Sequence, residues 1–506
     1  MSKRLINNVA QLFETVKSGI GRLEMAKQDE VLPILQAMQE SVITIGNTVE
    51  QCVSECEDVI LQLTNMAELI YELSLDENYK DADKREELKT YCKSTQRMVE
   101  TTLPSEFEVL FLPYKASMWD ALESVYVAAA KEGDCRVHVM PVPWYHVSED
   151  RTELVMEYEG EQFPQGIPIT DYREYSIPDM QPDVIFIHNP YDDKNHVTSL
   201  PERYFSSELK KHTDHLVYIP YKVCEGRVKD FYCVMPGVKN AWRVFTQCEQ
   251  VSQVYLKYNL PDKIVTSGSP KIDKIIQNEI HKPAMPDAWK NALEGRRIFL
   301  LNTHLNNIIN EADCMIRGLE QVIEAFSCRK DAAVIWRPHP LSMETAQAMN
   351  PDILHRYQEV IARFKALSNG VYDETPDPHL AIALADSYIG DISSLVIMFG
   401  VTGKPLFIRD VTIGEASKIK FSEVVRMPEK IVSASAEKKF KSAYYEDIIS
   451  LEDYLDMILQ GADILAETRK EEFSDLVYNT QGTVGEHIWN YVKKELEDWA
   501  KKGMQE

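Results

Sequence analysis

The stretch from residue 385 to 408, ADSYIGDISSLVIMFGVTGKPLFI, restricts the fold more than any other part of this chain. An apolar strand over 387–389 runs into Gly390 and Asp391. A helix over 395–400 follows Ser393 and Ser394, and Lys404-Pro405 opens a second strand over 406–408. Strand, polar turn, helix and strand in that order make one unit of a parallel α/β sheet. Unpaired amide groups at a helix start attract anions, and the two serines add hydroxyl donors, so a phosphate suits this turn. Asp and Ser also begin ordinary helices, and a plain N-cap accounts for the same residues.

Earlier in the chain an apolar strand over 332–336 ends in Arg337-Pro338-His339-Pro340, and another over 297–301 ends in Asn302-Thr303-His304. Side chains at the carboxyl ends of strands in an open parallel sheet project into the ligand crevice. Arg337 carries a planar fork of donors suited to phosphate, and His339 can donate to or protonate a phosphate oxygen near neutral pH. Thr303 and His304 complete a phosphate-facing rim, although a capping Thr and a surface His read equally well.

The same alternation fills the chain from residue 107 onward. Strands are expected over 107–113, 135–142, 183–187, 215–221, 241–245 and 263–266, with helices over 117–131, 206–211 and 249–258 and a small hairpin over 154–158. Lys282 to Pro286 reads as a linker. Beyond it come helices over 310–326, 342–366 and 378–385, a short strand at 371–372, and a helical acidic tail over 452–500. Before residue 103 there are only helical stripes: Leu5, Val9, Leu12, Val16, Ile20 and Leu23, then Leu35 through Cys52, Cys56 and Leu63, then a more polar helix over 83–100, with Pro104 closing the segment. These stripes either bury one another or form an oligomerisation arm or partner-docking module. A membrane-surface helix over 3–22 is the least favoured reading, because its charge is balanced.

A formal charge of −25 over 506 residues excludes an ordinary nucleic-acid binder and weakens electrostatic docking on anionic lipid. Nine cysteines without CxxC spacing suit reduced thiols, and neither a signal peptide nor a membrane-spanning run is visible. The expectation is a cytoplasmic protein, with contact at the inner face of the cell membrane as the peripheral variant.

The runs RPHP at 337–340, GDISS at 390–394 with GKP at 403–405, and GSPKID at 268–273 resemble the CDP-glycerol glycerophosphotransferase family, the teichoic-acid primases and polymerases. The resemblance spans roughly residues 105–480 and is strongest in the C-terminal half. It implies α/β class and a GT-B-like fold, two Rossmann-like domains facing a cleft: 104–283 for the acceptor, 284–480 for the nucleotide donor, and 481–506 as a C-terminal helix. The helical bundle or coiled-coil arm at 1–103 lies outside it.

The activity implied is transfer of glycerol phosphate or ribitol phosphate from a CDP-activated donor to a hydroxyl of a polymer or lipid-linked cell-surface precursor, without metal or cofactor. Arg337 and His339 would be catalytic, and Thr303, His304, Asp391, Ser393, Ser394, Lys222 and Lys271 would line the donor. The family base is a His followed by Gly. This sequence has no His-Gly pair, and the matching position reads Tyr218-Ile219-Pro220-Tyr221-Lys222, so His188 at the end of the strand over 183–187 is the replacement. Two other readings remain: a nucleotide-sugar glycosyltransferase on the same scaffold, and a catalytically lapsed GT-B module that acts as an assembly partner through its helical arm.

Overall fold

The computed structural model describes residues 2–53, 55–75, 78–102, 106–148, 153–224, 228–391, 393–408 and 449–503. Pro104 and Ile392, each part of a sequence motif above, lie outside them. No helix among the described residues is long and apolar enough to cross a membrane.

The N-terminal stripes fold on one another. Helices α1 (Lys3–Leu23), α2 (Gln28–Cys52), α3 (Glu57–Leu73) and α4 (Ala82–Thr102) pack in a ring, each against the next and α4 against α1. Phe13, Val16, Met38, Ile45, Val49, Met66 and Cys92 fill the middle. Of the two readings of these stripes, the structure shows the first: they bury one another. The stripe read as continuous from Leu35 to Leu63 is broken, because the chain turns between α2 and α3 at half-buried Cys52 and Cys56. Ser2 caps α1 by accepting from the Leu5 N–H at 3.1 Å. Buried Asp183 accepts the N–H groups of Lys3 (3.1 Å), Arg4 (2.8 Å) and Glu108 (2.8 Å), so one carboxylate ties the bundle to the first sheet.

That sheet contains β1 (Phe107–Leu112), β2 (Cys135–Val139), β5 (Val184–Ile187), β7 (His215–Tyr218), β8 (Arg243–Thr246) and β9 (Ile264–Thr266) in the spatial order β2-β1-β5-β7-β8-β9, all parallel. A small antiparallel sheet, order β4-β3-β6, is made of β3 (Trp144–Val147) and β4 (Leu154–Glu157), which lie between β2 and β5 in the chain, and β6 (Thr198–Ser199), which follows β5. The second parallel sheet contains β10 (Arg297–Thr303), β11 (Ala332–Pro338), β12 (Gly370–Tyr372), β13 (Ser387–Gly390) and β14 (Leu406–Ile408) in the order β12-β11-β10-β13-β14. With the N-terminal bundle these make the GT-B-like α/β architecture the sequence leads one to expect.

Local chemistry breaks several helices that periodicity alone joins. The expected helix over 342–366 stops at Met349, because Pro351 cannot donate to the ladder; a 3-10 turn intervenes before Leu354–Lys365. The helix over 117–131 begins instead as a 3-10 turn, Ala116–Ala121, before Glu123–Ala129.

A parallel sheet must bury both faces. One face of the first sheet is covered by Val484–Gly503, a helix that follows the second sheet in the chain and returns to lay Val484, Ile488, Trp489, Val492 and Leu496 among Phe111, Val125 and Phe186. Its start is fixed by Asp273, whose carboxylate accepts the Val484 N–H (3.0 Å) and the Gly485 N–H (2.7 Å). Replacing fully buried Trp489 by Ala should destabilise the first sheet by about 3–5 kcal/mol. A urea titration followed by circular dichroism would register this as a lower midpoint, and an unchanged midpoint would contradict the packing described.

Candidate functional site

In the second sheet the strand order reverses at β10, so the crevice at the carboxyl ends of β10 and β13 is a topological switch point. Asn302 pairs in register with Gly390, and Thr303 with Pro338, which brings the three polar clusters of the sequence to one edge. Gly390 is required there. Its φ is +149°, and a Cβ would sit 2.2 Å from the Asn302 carbonyl oxygen.

The polar groups at this edge are largely spent on one another. Asn302 Nδ2 donates to Tyr388 Oη (3.0 Å) and Ser393 Oγ (3.1 Å), and the Tyr388 hydroxyl donates to the Asp391 carbonyl (2.7 Å). Ser393 Oγ also accepts the Leu395 N–H at 3.2 Å, so it caps its own helix, Ser394–Gly400. Ser394 is half-buried as that helix's first residue. Asp391 Oδ2 accepts the His304 N–H at 2.8 Å, and Thr303 Oγ1 accepts from Trp336 Nε1 at 3.1 Å. The plain cap thus accounts for Ser393, and Thr303 is a buried acceptor.

Arg337 departs from expectation in the same way. Its guanidinium is buried and donates to Asp373 Oδ2 (2.6 Å), to Thr375 Oγ1 (3.2 Å) and to the Thr375 carbonyl (2.5 Å). A buried carboxylate neutralises the charge that phosphate would need, because an unpaired guanidinium would be costly in this interior. Lys271 is likewise taken: its Nζ lies 2.5 Å from Asp120 Oδ1, and Asp120 Oδ2 receives His379 Nε2 at 2.8 Å. Asp120 follows β1 and His379 follows β12, so this contact joins the two halves of the molecule. Burial pushes the Asp120 carboxyl up, but Lys271 and the hydrogen bond with His379 outweigh it and hold the pKa down at about 2. Lys404 of the GKP run forms a second tie across the halves, its Nζ 2.6 Å from Glu279 Oε1. Lys222 is exposed, with its ammonium 5.6 Å from the centre of the Tyr232 ring.

His188 does not stand in for the missing base. It is completely buried; its Nε2 accepts the Tyr114 N–H (3.2 Å) and its Nδ1 faces the Met118 carbonyl (3.1 Å), which fixes the neutral Nδ1–H tautomer. Burial pushes its pKa down to about 4. Both ring nitrogens are occupied, and the ring is fully buried.

What remains is a pair of imidazoles. His304 and His339 stand edge to face with ring centres 5.9 Å apart, both half-buried. His339 Nδ1 accepts the Leu341 N–H (3.2 Å), and His304 Nδ1 accepts the Asn306 N–H (3.3 Å). Each therefore carries its proton on Nε2, and neither Nε2 meets a partner among the described residues. Burial, with His304 adding to it, lowers the pKa of His339. A neutral His339 cannot accept a proton at Nε2, but it can donate a hydrogen bond there. The sequence finds this pair, but not Asp373, Asp120 and His379, whose partners lie far away in the chain.

No protein-family model matches the sequence, and no curated protein matches it. Among solved structures the chain is similar to the wall teichoic acid polymerase TagF, at 10% identity over 87% of this chain and 98% of that one, with a TM-score of 0.46. It is also similar to the UDP-N-acetylglucosamine 2-epimerase of Methanocaldococcus jannaschii, at 14% identity over 77% and 100%, with a TM-score of 0.44.

The buried histidine sets an acid limit. The unfolded chain takes up a proton at His188 below its ordinary value of 6.5 and the folded chain only near 4, so stability falls as pH drops through that window, by roughly 3 kcal/mol in all. Urea midpoints at pH 7 and pH 4.5 should lie closer together for His188→Gln than for the parent. Equal spacing would show that His188 is not the group responsible.

Proposed function

We propose that this chain is a transferase that takes an alditol phosphate, glycerol phosphate or ribitol phosphate, from a CDP-activated donor and passes it to a hydroxyl of a cell-surface polymer precursor. The observation that supports this is the pair of Nε2–H donors on His304 and His339 at the switch point of the second sheet. Two N–H donors at the carboxyl edge of a Rossmann-like sheet suit the non-bridging oxygens of a pyrophosphate. In the reaction the acceptor oxygen attacks the distal phosphorus, the bond to the bridging oxygen breaks, and CMP leaves with that oxygen. Such a transfer depends mainly on alignment and on donors aimed at the developing charge. His339 and His304 would hold the phosphoryl oxygens, with Ser394 beside them. Asp391 would orient His304 through its backbone. The acceptor's proton goes to solvent or to the leaving phosphate in this scheme, since His188 is enclosed and both cleft imidazoles already carry a proton on Nε2.

A second reading has its own support. Arg337 and Lys271 are paired internally and His188 is sealed, as suits a catalytically lapsed module that acts as an assembly partner through its helical arm. Thermal unfolding in the presence of CDP, CMP, UDP and GDP separates the possibilities. Stabilisation by the cytidine nucleotides alone supports the CDP-alditol reading, stabilisation by UDP or GDP a nucleotide-sugar donor, and no shift with any of them the lapsed module. At a concentration a hundred times its dissociation constant a ligand stabilises by about 2.7 kcal/mol, which is easily read as a shift in midpoint.

For turnover, His339→Ala should lower CMP release from CDP-glycerol at least a hundredfold while leaving the unfolding midpoint nearly unchanged, since the ring is half-buried and makes one hydrogen bond. Unchanged release would remove His339 from the site.

A further inference from the structure

The hairpin between β2 and β5 ends in an unguarded edge. In the order β4-β3-β6, β4 has a strand neighbour on one side only, so alternate N–H and C=O groups along its outer rim meet no strand among the described residues. Leu154, Val155 and Met156 are 57%, 54% and 57% exposed. Successive side chains point to opposite faces, so both faces of β4 are apolar and wet. Single exposed apolar residues are normal, but three in a row on an open edge form a template for another strand. Such edges are ordinarily guarded by Lys, Pro or a bulge. Here the strand reads Leu-Val-Met-Glu, and its pairing with β3 runs unbroken from Trp144↔Glu157 to Val147↔Leu154.

The flanks give the edge a sign. Glu153, Glu157 and Glu161 are exposed around it. Among the described residues, three cations nearby are occupied: Lys115 lies 4.0 Å above the Trp144 ring, Arg173 is paired with Asp171 at 2.5 Å, and Arg203 stacks on Tyr172 and Tyr204.

We propose that β4 is a docking edge for an extended segment of another protein, which adds a strand bearing small or β-branched apolar side chains bracketed by Lys or Arg. Main-chain pairing would supply the affinity, Leu154, Val155 and Met156 would pack against the added strand's side chains, and the glutamates would select its charge. A second copy of this chain does not fit. It would set Glu153 and Glu157 near their own counterparts on two molecules that each carry −25. The proposal is independent of the transferase reading.

Fluorescence anisotropy on the full chain tests it with two labelled probes, KKVTVTVKK and EEVTVTVEE. The lysine-ended probe should bind saturably and at least tenfold tighter than the other, and Val155→Lys with Met156→Lys should abolish its binding. Glu153→Lys with Glu157→Lys should shift the preference toward the glutamate-ended probe. All four positions are exposed, so an unchanged unfolding midpoint is expected for both variants. Absence of binding by either probe, equal binding of the two, or binding indifferent to these substitutions would overturn the proposal. A dimer in sedimentation that Val155→Lys disperses would also overturn it, by assigning the edge to a second copy.

Discussion

The architecture depends on one requirement: a parallel sheet exposes no face to water. Each sheet here satisfies it by borrowing. The first buries Phe111, Phe186 and Phe245 under a helix that lies beyond the second sheet in the chain, so neither half of the molecule is a closed unit. That return path also explains the ties around it. Gln247, at the end of β8, donates from Nε2 to the carbonyls of Cys224 (2.8 Å) and Leu476 (2.7 Å), and its own carbonyl accepts the Tyr478 N–H (2.9 Å), which pins the returning chain where it crosses.

The same economy governs charge. Arg337 answers Asp373, Lys271 and His379 share Asp120, and Lys404 answers Glu279. A cation withdrawn from water costs several kcal/mol unless a carboxylate compensates it, so sites that look like phosphate holders in the sequence are spent as braces. The groups left over at the crevice are the imidazoles of His304 and His339. In a chain with a charge of −25 an anion would gain little from the overall field, so the ligand proposed for them would rely on short directed hydrogen bonds.

The strands could be read from the sequence because each apolar run ends beside a turn former or polar residue at the same edge: β13 at Gly390, β11 at Pro338, β10 at Thr303. The helices were less legible. Pro351 and the turn before Cys56 interrupt stripes whose periodicity alone continues. At the site, residue type revealed which side chains stand at strand ends, but not which way each is used. Arg337 is indistinguishable in sequence from a phosphate clamp until Asp373 appears beside it, and His188 from a surface base until Tyr114 and Met118 close over it. Those partners belong to other elements, and their approach is set by packing that no local pattern encodes.

The helix Val484–Gly503 has a consequence for how the protein is made. The strands it covers emerge from the ribosome early, and the covering residues emerge only after the entire second sheet. During synthesis, then, one apolar surface of the early half waits uncovered for more than two hundred codons. Chaperone demand should concentrate in that interval, and chains truncated just before Val484 should aggregate while those that include the helix through Gly503 do not.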